Sequence, residues 1–203
     1  MVVVTQPVGA ATHSADTDAM IIEQAWRWPE RFEAVFDRHY RHIYSYAARR
    51  LGGSLAEDVA AETFLIAFDR REQYDISRYD ARPWLYGIAS NLIARHGRAE
   101  VRQYRALARS RSDGLVDGHA DMVVARLDAE AVRGPLARAL AKLAAAERDV
   151  LLLVAWAGLS CQEAATALDI PAGTARSRLH RARKAMRAAL GMNDSIVDSE
   201  EDK

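Results

Sequence analysis

Between Ser160 and Leu190 the order of residues admits one local structure above all others: a short capped helix, a tight turn and a longer second helix. In Ser160-Cys161-Gln162-Glu163 the serine hydroxyl is spaced to accept from the Glu163 amide while the Glu163 carboxylate reaches back to the serine amide. Ala164, Ala165 and Leu168 give this helix a small apolar face, and it is expected to end near Asp169. Ile170-Pro171-Ala172-Gly173 supplies the turn, because proline cannot continue the first helix but suits the opening of the next. Ala175, Leu179, Ala182 and Met186 then recur at steps of four, three and four, one stripe of a helix.

Around that stripe stand Arg176, Arg178, Arg181, Arg183, Lys184 and Arg187, with no acid between Pro171 and Leu190. Phosphate is the natural counterpart of such a surface. By helical phase Thr174, Ser177, Arg178 and Arg181 lie opposite the apolar stripe and are the candidates for touching base edges in a major groove. Arg176, Arg183 and Lys184 flank them, where a cation neutralises phosphate and sets register. An isolated cationic run would be read as a solvated face; the capped helix, turn and cationic helix together point to a helix-turn-helix.

The first half is also helical, with no run of alternating strands from Trp26 to about Arg105. Ser54-Leu55-Ala56-Glu57 repeats the capping spacing and predicts a helix start at Ser54. That helix has a core stripe of Val59, Ala60, Phe64, Ala67 and Phe68, and a second, outward stripe of Asp58, Glu62, Leu65 and Asp69. Like charges at this spacing mildly oppose an isolated helix, and a basic partner would offset that; a solvated acidic face fits the spacing equally well. From Pro83 another helix is expected to bury Leu85, Ile88, Ala89 and Leu92. Its opposite stripe runs Gly87, Asn91, Arg95, Arg98 and Arg102, a surface that lets DNA approach and holds its phosphates, and the positive track extends through Arg105, Arg109 and Arg111 with Glu100 its one acid. In the loop before it, Tyr74, Ser77, Arg78, Tyr79 and Arg82 could stack on and hydrogen-bond an unpaired base, or could anchor the loop locally.

Charge is balanced, with 28 basic and 28 acidic residues, so any nucleic-acid surface has to come from segregation within the chain. The 203 residues allow two small all-α domains. A mobile extension is expected over 1–24, a first domain over 25–105, a flexible linker over 106–127 where Ser, Asp and Gly concentrate, a second domain over 128–191, and an acidic tail over 192–203. Cys161 is the sole cysteine, so neither an internal disulfide nor a cysteine-built zinc site is available. No export signal or membrane span is legible, and a cytoplasmic protein without a cofactor is expected.

Four segments in order, FEAVFDRHY from Phe32, AEDVAAETFLIAF from Ala56, RPWLYGIASNL from Arg82, and GLS from Gly158 through PAGTARSRLHRAR ending at Arg183, resemble the extracytoplasmic-function group of the sigma-70 family, over about Arg31 to Gly191. The resemblance implies a region 2 helical bundle and a region 4 helix-turn-helix. It implies that Asp58, Glu62 and Leu65, with Asp69 on the same stripe, grip the largest subunit of core RNA polymerase. It further implies that Ser77, Arg78, Tyr79, Arg82, Asn91, Arg95 and Arg98 serve the minus-ten element, and that the helix Ala172 to Met186 reads the minus-thirty-five element. Promoter DNA, core polymerase and an anti-sigma protein are the partners it implies. Cys161 and Ala175 depart from the larger or β-branched residues common in such proteins, which bears on fine promoter preference.

Two rival readings fit parts of the sequence. A conventional helix-turn-helix regulator would need no acidic partner face beside a second cationic face. An enzyme would have to use Asp37, His39 and His42, and no third histidine or cysteine is spaced to complete a metal site with that pair.

Overall fold

The computed structural model describes residues 16–109 and 133–191, and among them every regular element is a helix. Helix α1 is Asp18–Arg27, α2 Glu33–Leu51, α3 Gly53–Asp69, α4 Arg82–Arg95 and α5 Gly97–Arg109. Helical residues 133–142 form α6, followed by α7 Ala145–Ala155, α8 Cys161–Ala167 and α9 Ala172–Leu190. Short 3₁₀ turns at Pro29–Phe32 and Arg71–Gln73 join α1 to α2 and lead out of α3.

The element boundaries depart from those the sequence predicts. The extension was to reach residue 24, but α1 begins at Asp18, where Thr17 caps it by accepting from the Met20 amide at 3.3 Å. Ala19, Ile21, Ile22 and Ala25 are buried, and this short stripe pays for ordering a segment whose polar neighbours concealed it. Ser54 is not the cap of α3. The chain leaves α2 through Gly52 at φ +86°, a left-handed conformation that suits glycine, and α3 starts at once with no capping side chain. Finally, the helix from Pro83 does not run on through the arginines: it stops at Arg95, and Arg98 and Arg102 belong to α5. Since α5 reaches Arg109, the linker expected from residue 106 does not begin there. The remainder of that linker with Arg111, the first fifteen residues and the acidic tail lie outside the described residues.

The halves of the chain pack on one another. A continuous apolar cluster extends from Ile22 through Val35, Ile43, Leu85 and Ile93 to Leu153, Ala164 and Met186. A smaller one, Val150, Ala165, Ala175 and Leu179, ties α7, α8 and α9 together. At the seam α8 lies against α4, and a methyl group in place of the Gly87 hydrogen would collide with the carbonyl oxygen of Ala167. Glycine permits this approach because it has no Cβ.

The seam also holds a buried ionic quartet. Glu100 of α5, 2% exposed, accepts from Arg50 Nε of α2 at 2.6 Å and from Arg148 of α7 at 2.9 Å. Arg50 also donates to Asp149 of α7 and, at 2.8 Å, to the Tyr46 hydroxyl. The remaining Arg148 donors reach the carbonyls of Leu140 and Leu143, apart from Nε, which has no partner among the described residues. Arg49 stacks over Trp156 at 5.8 Å, a further contact across the same seam.

Candidate nucleic-acid and partner surfaces

On α3 the outward stripe stands as the phase argument placed it. Asp58, Glu62, Leu65 and Asp69 are all exposed, and Leu65, at 61%, is the most exposed of the large aliphatic side chains among the described residues. Val59, Ala60, Phe64 and Ala67 are buried beneath them and Phe68 partly so. An exposed leucine among carboxylates is a surface suited to an amphipathic, basic partner.

The loop from Tyr74 to Ala81 has a defined inner side. Tyr74 is buried, packs at a tilt against Trp84 at 4.9 Å between ring centres, and donates its hydroxyl hydrogen to the Arg78 carbonyl. Burial and the nearby carboxylates push that phenol far above its ordinary range, so it remains a donor. Tyr74 is thus the local anchor among the loop aromatics, while Tyr79, at 73% exposed, is the one free to meet a ligand. Asp75 accepts from the Ser77 amide at 3.1 Å, the Ser77 hydroxyl at 2.6 Å and Arg78 Nε at 3.0 Å; these bonds hold the Asp75 carboxyl below its ordinary value. Arg82 pairs with Asp80 at 2.7 Å. The loop faces α8 across a cleft of about 370 Å³ lined by Arg78, Tyr79, Pro83, Gln162, Glu163 and Thr166.

Along α4 and α5, Asn91, Arg95, Arg98, Arg102, Arg105 and Arg109 are exposed as expected. Gly87 is not: assigned to the open stripe by phase, it is buried under Ala167, its missing side chain making room for helix backbone. Arg95 pairs at 3.3 Å with Glu62, so the acidic face of α3 and the basic face of α4 adjoin. Both partners are largely exposed, and a pair of this kind is readily exchanged. Glu100 was counted within the positive track, yet it is buried in the quartet and leaves the track's surface uniformly basic.

In the second half, Ser160 and Glu163 form the reciprocal cap at 3.2 and 2.7 Å, and Ala175, Leu179, Ala182 and Met186 are all buried. Asp169 takes φ +51° in the turn, a conformation that aspartate tolerates better than most residues. Arg176, Ser177, Arg181, Arg183 and Lys184 are exposed and Thr174 and Arg178 half-buried, so the set shares the face left open by α7 and α8. Ser177 donates to the Thr174 carbonyl at 3.0 Å, and Arg181 is drawn to Glu147 of α7 at 2.7 Å. Sequence reasoning missed Arg50, Glu100, Arg148 and Asp149 as a group, and no local signal marks them.

His39, which an enzyme would have to use, has its Nε2 engaged by Asp18 at 2.7 Å. No described helix is long and apolar enough to cross a membrane.

Comparison with known proteins agrees with this geometry. Residues 35–103 match the profile of Sigma-70 region 2, and residues 133–186 match that of Sigma-70, region 4. The ECF RNA polymerase sigma factor SigL of Mycobacterium tuberculosis is 35% identical over 158 residues, covering 77% of this chain and 87% of that protein. SigW of Bacillus subtilis, also an ECF RNA polymerase sigma factor, is 31% identical over 168 residues, covering 79% and 89%. The structure of CnrH in complex with the cytosolic domain of CnrY superposes with a TM-score of 0.61 at 26% identity, over 88% of this chain and 99% of that one. The sigma factor RpoE of Bartonella quintana, in complex with the anti-sigma factor NepR, gives 0.55 at 20% identity over 80% and 98%, a likeness of fold.

Proposed function

We infer the division of labour among these surfaces from one premise: the chain belongs to the ECF RNA polymerase sigma factors. It is a sigma factor, a subunit that binds core RNA polymerase and directs it to promoters. Sigma factors direct an enzyme and do not themselves carry out the chemistry. The finer assignment is our proposal: this chain has no catalytic residues and no cofactor and acts in the cytoplasm.

Asp58, Glu62, Leu65 and Asp69 take the polymerase. Their exposure on one stripe of α3, beside buried neighbours of the same helix, is the observation that carries this. Ser77, Arg78, Tyr79 and Arg82 capture a base of the minus-ten element, with Asn91, Arg95 and Arg98 on the adjoining backbone. Glu62, released from Arg95 by the polymerase, would leave that arginine to a phosphate. Thr174, Ser177, Arg178 and Arg181 address the minus-thirty-five bases, and Arg176, Arg183 and Lys184 the phosphates around them. The first domain is proposed to run from α1 to the end of α5, 18–109, and the second to keep the bounds 128–191.

Two elements named for positions 25 base pairs apart are separated by roughly 80 Å of straight duplex at ~3.4 Å per pair. Here α4 and α8 touch. The packed arrangement therefore cannot serve both elements at once, and we propose that the free chain is closed and that docking on polymerase separates its halves. CnrH is seen in complex with the cytosolic domain of CnrY, and the RpoE of like fold in complex with an anti-sigma factor; an anti-sigma partner is proposed for this chain too.

The test is multi-round transcription of genomic fragments by core polymerase with this chain alone, which yields both activity and target promoters. The expected result is initiation at a small set of sites, abolished by exchanging Asp58 and Glu62 for lysine together with loss of co-purification with core. Initiation and co-purification unchanged by that exchange would refute the α3 assignment.

A further inference from the structure

Helix α1 lies before the segment that matches the region 2 profile, which starts at residue 35. Its contacts concentrate on one place. At its C-terminal end the Ala25 carbonyl accepts from Arg71 Nε at 3.0 Å, and Trp26 Nε1 donates to the Arg71 carbonyl at 3.0 Å. At its N-terminal end one Asp18 oxygen accepts from the Ala81 amide at 3.0 Å. Arg71 opens the excursion that carries Tyr74 to Asp80, and Ala81 closes it as the residue before α4. The two anchors on α1 are seven residues apart, roughly 10 Å of rigid helix at ~1.5 Å per residue. One rod thus ties both feet of the loop.

Asp18 has a second job within this tie. Ala81 provides no capping side chain for α4; the Arg82 amide is met by Asp80 at 2.8 Å and Pro83 has none to offer, which leaves the amide of Ala81 itself, just before the helix, to a partner from elsewhere. A carboxylate is the favoured partner at a helix N-terminus, and Asp18 supplies one from 63 residues away in sequence. Its orientation is fixed by Arg38 at 3.1 Å and His39 at 2.7 Å, both from α2, and it is 7% exposed. Three elements therefore meet on one buried carboxylate, and it is the exposed loop residues Ser77, Arg78 and Tyr79 that hang from the result.

We propose that α1 is a brace for the base-capturing loop and that Asp18 is a positioning residue for promoter opening. This rests on reading the loop as the minus-ten element. The brace touches neither DNA nor polymerase; it narrows the loop to the conformation that presents Tyr79 and Arg78 beside the basic face of α4.

The experiment uses full-length chain with core polymerase, a duplex promoter recovered from the transcription screen, and permanganate reactivity of unpaired thymines as the measure of opening. Asp18→Asn removes the charge at similar shape. Trp26→Phe removes the indole donor and keeps an aromatic ring, at a side chain 39% exposed where the smaller ring leaves little void, and serves if Asp18→Asn does not fold. Arg71→Lys keeps the charge and loses the bond to Ala25. The expected result is a loss of opening of at least about tenfold for Asp18→Asn and several-fold for the other two, with core binding within about twofold of the parent, since displacement of a positioned group by ~1 Å has effects of this size. Asp18→Asn added to Tyr79→Ala should cost little beyond Tyr79→Ala alone, because both act at one step. Equal loss of core binding and opening in the folded variants would overturn the brace by making α1 merely structural. Normal opening by Asp18→Asn and Trp26→Phe, while Arg78→Ala and Tyr79→Ala are defective, would overturn the brace and leave the loop reading intact. Normal opening by Arg78→Ala and Tyr79→Ala would remove the loop reading, and the proposal with it.

Discussion

Replacing Glu100 with glutamine should destabilise the closed molecule by about 3 kcal/mol. The parent quartet is neutral: Arg50 and Arg148 against Glu100 and Asp149, all within one hydrogen-bonded group. Glu100→Gln keeps the shape but leaves one surplus positive charge where Arg50 is 1% and Arg148 3% exposed. Breaking a buried pair from one side costs ~3–5 kcal/mol. The lower end applies here, because Arg50 keeps Asp149 and Arg148 keeps the Leu140 and Leu143 carbonyls. There is also a ceiling: once the halves part, Arg148 returns to water, so the cost cannot exceed the free energy of the seam itself. In urea, with a slope of ~2 kcal/mol/M, the midpoint should fall by about 1.5 M, or the single transition should split in two. Arg148→Met should do the same, and the double variant should be clearly less harmed than the sum of the two, the mark of a coupled pair. A Glu100→Gln midpoint within about 0.2 M of the parent, or strict additivity in the double variant, would refute the quartet as the bond between halves.

Gly87→Ala should favour helix α4 locally by ~0.5–1 kcal/mol yet expand the molecule in solution scattering, because the new methyl meets Ala167; an unchanged radius of gyration with raised stability would count against the close approach. Burial alone would raise the Asp18 carboxyl, but the His39 hydrogen bond, the Ala81 amide and Arg38 outweigh it and hold it at about 2, against 3.8 when free. A depressed acid stabilises above its unfolded value and loses that contribution as pH falls through its folded one, so the advantage of parent over Asp18→Asn, about 2 kcal/mol at neutral pH, should vanish between pH 4 and pH 2; a gap independent of pH in that range would disprove the ionised tie. Arg178→Ala should cost ~1–3 kcal/mol on the cognate minus-thirty-five element and little on altered ones, measured with holoenzyme on matched fragments; equal weakening on all of them would reassign Arg178 to phosphate.

What was legible in the sequence followed the range of the forces involved. Ala175, Leu179, Ala182 and Met186 are buried as their period requires, and the Ser160–Glu163 cap forms, because both depend on neighbours within a turn or two. The same capping spacing failed at Ser54, where Gly52 had already turned the chain directly from one helix into the next. Gly87 shows the limit of a correct physical inference. A missing side chain does mean close approach, but phase could not tell nucleic acid from the backbone at Ala167. Glu100 looked like a lone acid in a basic tract, and only the arrival of Arg50 and Arg148 from 50 and 48 residues away gave it a role. Asp18 was overlooked because its partners, His39 and Ala81, lie 21 and 63 residues downstream.

The quartet at the seam divides cleanly along the line where the halves would part. Arg50 and Glu100 remain together on one side, and Arg148 and Asp149, adjacent in the chain, leave together on the other. Each share carries no net charge, so separation strands no lone ion in either newly wetted surface. A joint composed in this way behaves like a press-stud: firm when fastened, yet able to be opened and refastened many times without a toll in unbalanced electrostatics.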